Sequence, residues 1–311
     1  VAESRYLPAL RATFLVAVLV FAWFGLRGRF DEVGAALRGT SAIGVAGSLA
    51  LVLLGLLATG ILWLRLMSAV GADLPRRDGL KTFFVGQLGK YIPGSVWSIG
   101  AQAEMAARRS IPPRATVTAG LLFLGYHVAT AAVVGTTALL VGALQPPWPS
   151  WVSALLLVGS LIGMLPFAVR WPGGRVAGRP VRIGVGDTAA ALGLMAAAWA
   201  AYAAALVLLA PGFPWHDVVA LGGAFALAYA VGVVVVLAPA GVGARDALLV
   251  LLLTPLLGVA DATALALLAR LTHTAADAAM AAGWWCAARR THRPTASHSG
   301  RIERSLPEGG A

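Results

Sequence analysis

Charge is what this chain has least of: only 12% of its 311 residues are Asp, Glu, Lys or Arg, against about 25% in an ordinary soluble domain. A water-soluble globule is thereby excluded, because too few polar side chains exist to cover its surface. Lysine is nearly absent, occurring only at Lys81 and Lys90. Cysteine occurs once, at Cys286, so no intramolecular disulfide can form, and no Cys/His group has zinc spacing. The 13 acidic residues are scattered. They form no Asp-rich run of the kind that holds Mg²⁺ against phosphates, and neither Gly-x-Ser-x-Gly nor His-Glu-x-x-His is present. From this inventory no metal and no cofactor is expected.

What the chain does have is long apolar runs. Hydrophobic residues make up 59% of it, and residues 39–64, 115–169, 188–216 and 218–244 contain no Asp, Glu, Lys or Arg. Each stretch can hold a span of about 20 residues, and the longest can hold two. The expected class is all-α: a polytopic helical membrane bundle of about six full spans, further broken or re-entrant helices and a final helix, about eight membrane segments in all. The spans are expected near 7–26, 41–64, on either side of a turn at Gln145–Ser150, and on either side of Pro211–Asp217. The apolar run at 7–26 is too long for a signal-peptide core and reads as a retained first helix. Arg170 to Arg182 reads as a basic Gly/Pro loop, and the last helix as 261–288. Residues 1–288 form the expected membrane domain, and the polar stretch 289–311 is expected to be a disordered cytoplasmic tail.

A formal net charge of +11 would point to nucleic acid in a soluble protein. In a membrane protein it sets orientation instead, and no nucleic-acid partner is expected. With the N-terminus inside, 20 of the 24 basic residues fall on the cytoplasmic side and three, Arg27, Arg29 and Arg38, fall outside. That bias predicts a multi-pass protein of the cell membrane with both termini cytoplasmic. Tryptophans near span ends, such as Trp171 and Trp285, are expected to act as interfacial anchors.

Two segments do not read as simple spans. Between Leu80 and Arg109 the apolar pattern is broken by Gly86, Gly89, Lys90, Pro93 and Gly94, which fits two short helices better than one. The second break is Ala238-Pro-Ala-Gly-Val-Gly-Ala-Arg-Asp246, followed by an apolar run to Val259 that is short for a crossing. Each break carries a Pro-small-x-Val pattern beside a basic residue. Paired Gly/Pro breaks of this kind mark transporter substrate sites, because irregular backbone survives at membrane depth only where protein or a cavity shelters it. The bland alternative is a pair of ordinary loops.

These same residues, Gly86-Gln-Leu-Gly-Lys-Tyr-Ile-Pro-Gly-Ser-Val-Trp97 and Pro239-Ala-Gly-Val-Gly-Ala-Arg-Asp246, resemble the two characteristic segments of the lysylphosphatidylglycerol synthase transmembrane-region family, the flippase-like integral membrane proteins. The chain departs from the usual pattern at Ala240 and at Asp246, where Glu is usual. The resemblance implies a domain that translocates or otherwise handles lipid. In the larger synthases of this family a separate soluble domain performs aminoacyl transfer; the stretch after Ala288 is too short to be that domain, so aminoacyl transfer is not expected of this chain.

The last helix carries Arg270, His273 and Asp277 at i, i+3 and i+7, on one face. Charges at that depth cost at least about 2.5–3.5 kcal/mol each if exposed to lipid, so they must face inward. Either Arg270 and Asp277 pair to fix packing, or Arg270 draws a lipid phosphate while His273 or Asp277 takes up protons. Lys90 and Arg245, beside the breaks, are further phosphate contacts or else positive-inside anchors, and Asp246 can pair with a nearby arginine. Trp97 is the aromatic to examine beside the first break, whereas His127 reads as an interior histidine. Pro93, Gly94, Pro239, Gly241 and Gly243 form the motif backbone. Three functions remain open: a transporter of an anionic phospholipid or lipid-linked substrate, an accessory subunit supplying lipid to a partner membrane enzyme, and an enzyme acting on a lipid phosphate.

Overall fold

The computed structural model describes residues 30–91, 97–145, 149–210, 212, 217–234 and 243–290. Expectations for the first span at 7–26, for Pro93, Gly94, Pro239 and Gly241, and for 291–311 lie outside these. Among the described residues there is no strand. Ten helices follow one another: α1 (Phe30–Gly39), α2 (Ala42–Ala69), α3 (Arg76–Gln87), α4 (Trp97–Ala107), α5 (Pro113–Leu140), α6 (Ser150–Gly163), α7 (Pro166–Ala177), α8 (Val185–Leu209), α9 (Val218–Val234) and α10 (Ala244–Arg290). A short 3-10 turn, Leu88–Tyr91, extends α3.

Helix starts follow local chemistry. The Ser41 hydroxyl accepts the Gly44 N–H at 2.9 Å and caps α2. Pro113 occupies the first turn of α5, where its missing N–H costs nothing. The Asp187 carboxylate accepts the Gly184 N–H at the start of α8. At about 1.5 Å per residue, α2 and α5, 28 residues each, and α8, 25 residues, exceed the roughly 30 Å of a bilayer core. Helices α6 and α7 together form one further apolar path, bent by 62°. The expected loop at 170–182 is therefore corrected: it is helical as far as Ala177, with Pro172 inside α7 and Gly178 closing it at φ 67°.

Helix α10 is not one rod. A straight helix would separate Asp246 from Arg270 by about 36 Å, yet their side chains are 2.7 Å apart. The chain reverses at Gly258, midway between them, where φ 79° and ψ 164° lie outside the helical region and suit only glycine. The first arm, 244–257, is about 21 Å long and too short to cross; the second, 259–290, is long enough. Arg245 also lies over the rings of Phe225 and Tyr229, so α9 and the first arm double back on one another. The span expected after Asp217 is instead, over the described residues 218–234, one arm of a hairpin, and α9 has only 17 residues.

Helices α3 and α4 form a second hairpin. Asp78 meets Arg109 in a bidentate pair of 2.6 and 2.7 Å, a Cβ on Gly86 would collide with Gln102, and one on Gly89 would lie 2.8 Å from the backbone of Trp97 and Ser98. These pairs step down the two arms in antiparallel register. Only glycine permits so close a backbone approach.

The connections sort into two ends. The Arg182 N–H donates to the Ala69 carbonyl, Asp78 holds Arg109, and Lys81 and Arg289 both lie over the Trp285 ring. The basic segments thus gather at one end of the bundle. At the other, the start of α2 packs on Leu208 near the end of α8. The α3–α4 hairpin enters from the basic end, and the hairpin of α9 with the first arm of α10 enters from the opposite one. Their inner ends meet beside the second arm of α10.

Candidate functional site

The two hairpins, α2, α5, α8 and the second arm of α10 line a partly open cavity of about 150 Å³. Its polar lining includes Lys90, Tyr91, Gln102, His127, Arg245, Arg270, His273, Thr274 and Asp277, and its apolar lining includes Phe83, Phe123, Phe225 and Ile99. A room of this size accepts a group on the scale of benzene.

Physical necessity explains how the charges are arranged. A carboxylate or guanidinium removed from water must find an opposite charge, or pay several kcal/mol. Asp277, 5% exposed, lies 2.6 Å from the Lys90 ammonium and accepts the Tyr91 hydroxyl at 2.7 Å. Asp246 accepts Arg270 Nε at 2.9 Å, and its other oxygen lies 2.7 Å from Arg270 Nη2. That same carboxylate accepts the Gly243 N–H, the first residue before α10, where φ is 87°. An acidic residue at the third helical position reaching back to the cap explains why a carboxylate stands there. Each hairpin is thus held to the last helix by one ion pair. The alternative of an internal Arg270–Asp277 pair is corrected: two helical turns separate them, and each finds its partner on a different hairpin.

Arg245 is the exception. Among the described residues its guanidinium has no carboxylate within ion-pair distance; its contacts are the faces of Phe225, 4.6 Å from the ring centroid, and Tyr229, at 5.8 Å. Such cation–π contact stabilises a desolvated cation without neutralising it. Among the described residues three cations therefore face two carboxylates, with one positive charge in excess. Lys90 and Arg245, counted at first among loop residues of the basic side, both line the cavity.

Of the other expected site residues, His273 lines the cavity, with Nδ1 2.8 Å from the Ala269 carbonyl. Trp97 opens α4 but stays outside the lining and is 52% exposed. Sequence reasoning set His127 aside and missed Gln102. Both are buried and line the cavity, and His127 stacks on Tyr229 at 4.5 Å. A histidine inside a 55-residue uncharged run and a glutamine beside the first break were the available signals. Among the described residues no three of His, Cys, Asp and Glu gather as a metal site would require.

A family model described as "Lysylphosphatidylglycerol synthase TM region" matches residues 11–280. Among curated proteins nothing matches the chain.

Proposed function

Since the chain belongs to the family of the lysylphosphatidylglycerol synthase TM region, an integral membrane family, we propose that its cavity receives the phosphate of an anionic lipid and carries that headgroup across the bilayer while the acyl chains stay in lipid. Arg245 is the observation that supports this most directly. Its guanidinium has no carboxylate at ion-pair distance among the described residues, while Asp246 and Asp277 are both engaged. A lipid phosphodiester supplies the missing single negative charge, and a guanidinium can bind it through two parallel hydrogen bonds. Lys90, partly exposed beside Asp277, is the second contact. Two hairpins entering from opposite ends and meeting at one site suit exposure of that site to each side in turn. The basic end lies in the cytoplasm by the positive-inside bias, and the protein resides in the cell membrane.

Purified protein reconstituted in liposomes with fluorescent phosphatidylglycerol or phosphatidylcholine tests the reading. Transbilayer transfer of the anionic lipid should exceed that of the zwitterionic one, and Arg245→Gln should lower it by about tenfold or more, the scale of one charge-assisted contact. Equal transfer by wild type and variant would overturn the proposal. Binding that depends on Arg245 without any transfer would assign the site to lipid supply for a partner enzyme.

A further inference from the structure

Helix α7 combines two kinds of side chain that neither water nor hydrocarbon accommodates together. Phe167 and Trp171, one turn apart, are each 66% exposed, while Val169 and Gly173 turn inward on the opposite side. Arg170 and Arg175, both exposed, flank the two rings, and Arg175 lies 3.8 Å from the centroid of Trp171. Bare aromatic surface is unfavourable in water, and guanidinium groups are costly in hydrocarbon. The boundary layer of a bilayer accepts both, because rings enter the acyl edge while guanidinium groups reach the phosphates.

The path of the chain brings α7 to that depth. Helix α6 has 14 residues, about 21 Å at 1.5 Å per residue, which falls short of the roughly 30 Å of a bilayer core. Helix α7 leaves it at 62°, so its 12 residues add only about 8 Å along the α6 axis. It therefore runs obliquely along the bilayer boundary at the basic end, where the Arg182 N–H meets the Ala69 carbonyl.

Charge decides what covers this face. Phe167 and Trp171 line a shallow groove together with Arg170, Arg182 and Asp187. Arg179 and Arg114 lie next to it, against Gly71 and Gly178. Among the described residues none of Arg114, Arg170, Arg175, Arg179 and Arg182 has a carboxylate within ion-pair distance. The single carboxylate of the groove, Asp187, is engaged by the Gly184 N–H at 2.8 Å. Arg170 Nε donates to the Ile183 carbonyl at 2.6 Å, which orients its guanidinium beside the groove. Surplus positive charge next to exposed rings calls for an occupant that is anionic at one end and apolar at the other. No residue of this groove lines the cavity of Lys90, Arg245 and Asp277.

We propose that α7 and the groove beside it form a peripheral docking site for acidic phospholipids of the leaflet at the basic end. The lipid phosphate lies between Arg170 and Arg182, and the upper acyl carbons lie against Phe167 and Trp171. A lipid held there stays at the boundary and is not carried through the cavity.

The test uses the full chain in phosphatidylcholine liposomes containing phosphatidylserine. In a Cys286→Ala background a bimane dye is placed at Gly174→Cys, where a Cβ meets nothing closer than 3.5 Å, or at Val141→Cys, exposed at the opposite end of α5. Quenching by brominated phosphatidylserine relative to brominated phosphatidylcholine reads the local enrichment of acidic lipid. One arginine near an acidic surface is worth about fivefold, so enrichment at 174 should be about fivefold or more, against about one at 141. Arg175→Gln combined with Arg182→Gln should bring the value at 174 down toward that at 141. Absence of quenching at 174 by either lipid would place α7 in water, and equal quenching by both would make the face unselective; either result overturns the proposal. Should the double variant fail to fold, salt decides on the chain with both arginines. Raising ionic strength from about 0.1 M to about 1 M shortens the screening length from about 10 Å to about 3 Å and should lower the enrichment at 174, and a value that salt leaves unchanged would equally overturn the proposal.

Discussion

Breaking the Lys90–Asp277 pair from its two sides should have unequal consequences. The Asp277 side chain is 5% exposed and Lys90 is 34% exposed, with 2.6 Å between ammonium and carboxylate. In Lys90→Met the carboxylate keeps only the Tyr91 hydroxyl and stays in a desolvated site. Removal of one partner from a buried pair costs about 3–5 kcal/mol, a large part of the 5–15 kcal/mol that separates a folded domain from its unfolded state. In Asp277→Asn the ammonium is left, but it already reaches solvent and its four-carbon stem can carry it further out, so the loss should be about 1–2 kcal/mol, on the scale of a hydrogen bond to a charged group. The double variant, Lys90→Met with Asp277→Asn, buries no charge and should recover most of what Lys90→Met loses. Melting of detergent-purified protein, followed by the loss of helical circular dichroism, reads the order. At about 1.5 °C per kcal/mol for a chain of 311 residues, Lys90→Met should melt roughly 5–8 °C below wild type, and Asp277→Asn about 2–3 °C below. Equal losses from the two single variants, or a double variant no better than Lys90→Met, would refute the reasoning that burial of the carboxylate sets the cost.

Three other outcomes follow from the geometry. Gly258→Ala places a side chain at φ 79°, ψ 164°, a region open essentially to glycine alone, and should lower stability by about 1–3 kcal/mol in the same melting assay. In a Cys286→Ala background, Arg77→Cys and Arg108→Cys should both label from the cytoplasmic face of intact cells and Gly142→Cys from the outer face; labelling of 77 and 108 from opposite sides would rule out the α3–α4 hairpin. Arg270→Lys removes the paired contact of Nε and Nη2 with Asp246, which an ammonium cannot reproduce, and should cost about 1–2 kcal/mol of stability; an unchanged melting point would show that the pair does not fasten α10.

Much of the architecture was legible because lipid as solvent leaves few solutions. Uncharged runs marked α2, α5 and α8, and Gly86 and Gly89 marked the place where two backbones touch. The error over residues 218–234 has a physical cause. A hairpin arm sheltered by other helices is as apolar as a crossing helix, so composition could not tell α9 from a span. Its partner arm betrays it only through contact, when Arg245 comes to rest on Phe225 and Tyr229. The 170–182 segment failed differently: Gly and Pro argue against helix, yet Pro172 lies in a short amphipathic piece that packs Val169 and Gly173 inward, and tertiary packing outweighed propensity.

The charged residues were legible in kind and not in pairing. Periodicity on one helix could place Arg270, His273 and Asp277 on a common face, and desolvation required that face to point inward. Which carboxylate met which cation depended on segments 24 and more than 180 residues away, and no local pattern encodes that register. Asp277 with Lys90 and Asp246 with Arg270 each draw one hairpin against the same helix, and these neutralised pairs have discharged their electrostatic cost. Arg245 has not, since the aromatic faces beside it offer attraction without a compensating charge. In a medium where an unbalanced cation is costly, Arg245 is the residue at which the proposed lipid phosphate would complete the balance of charge.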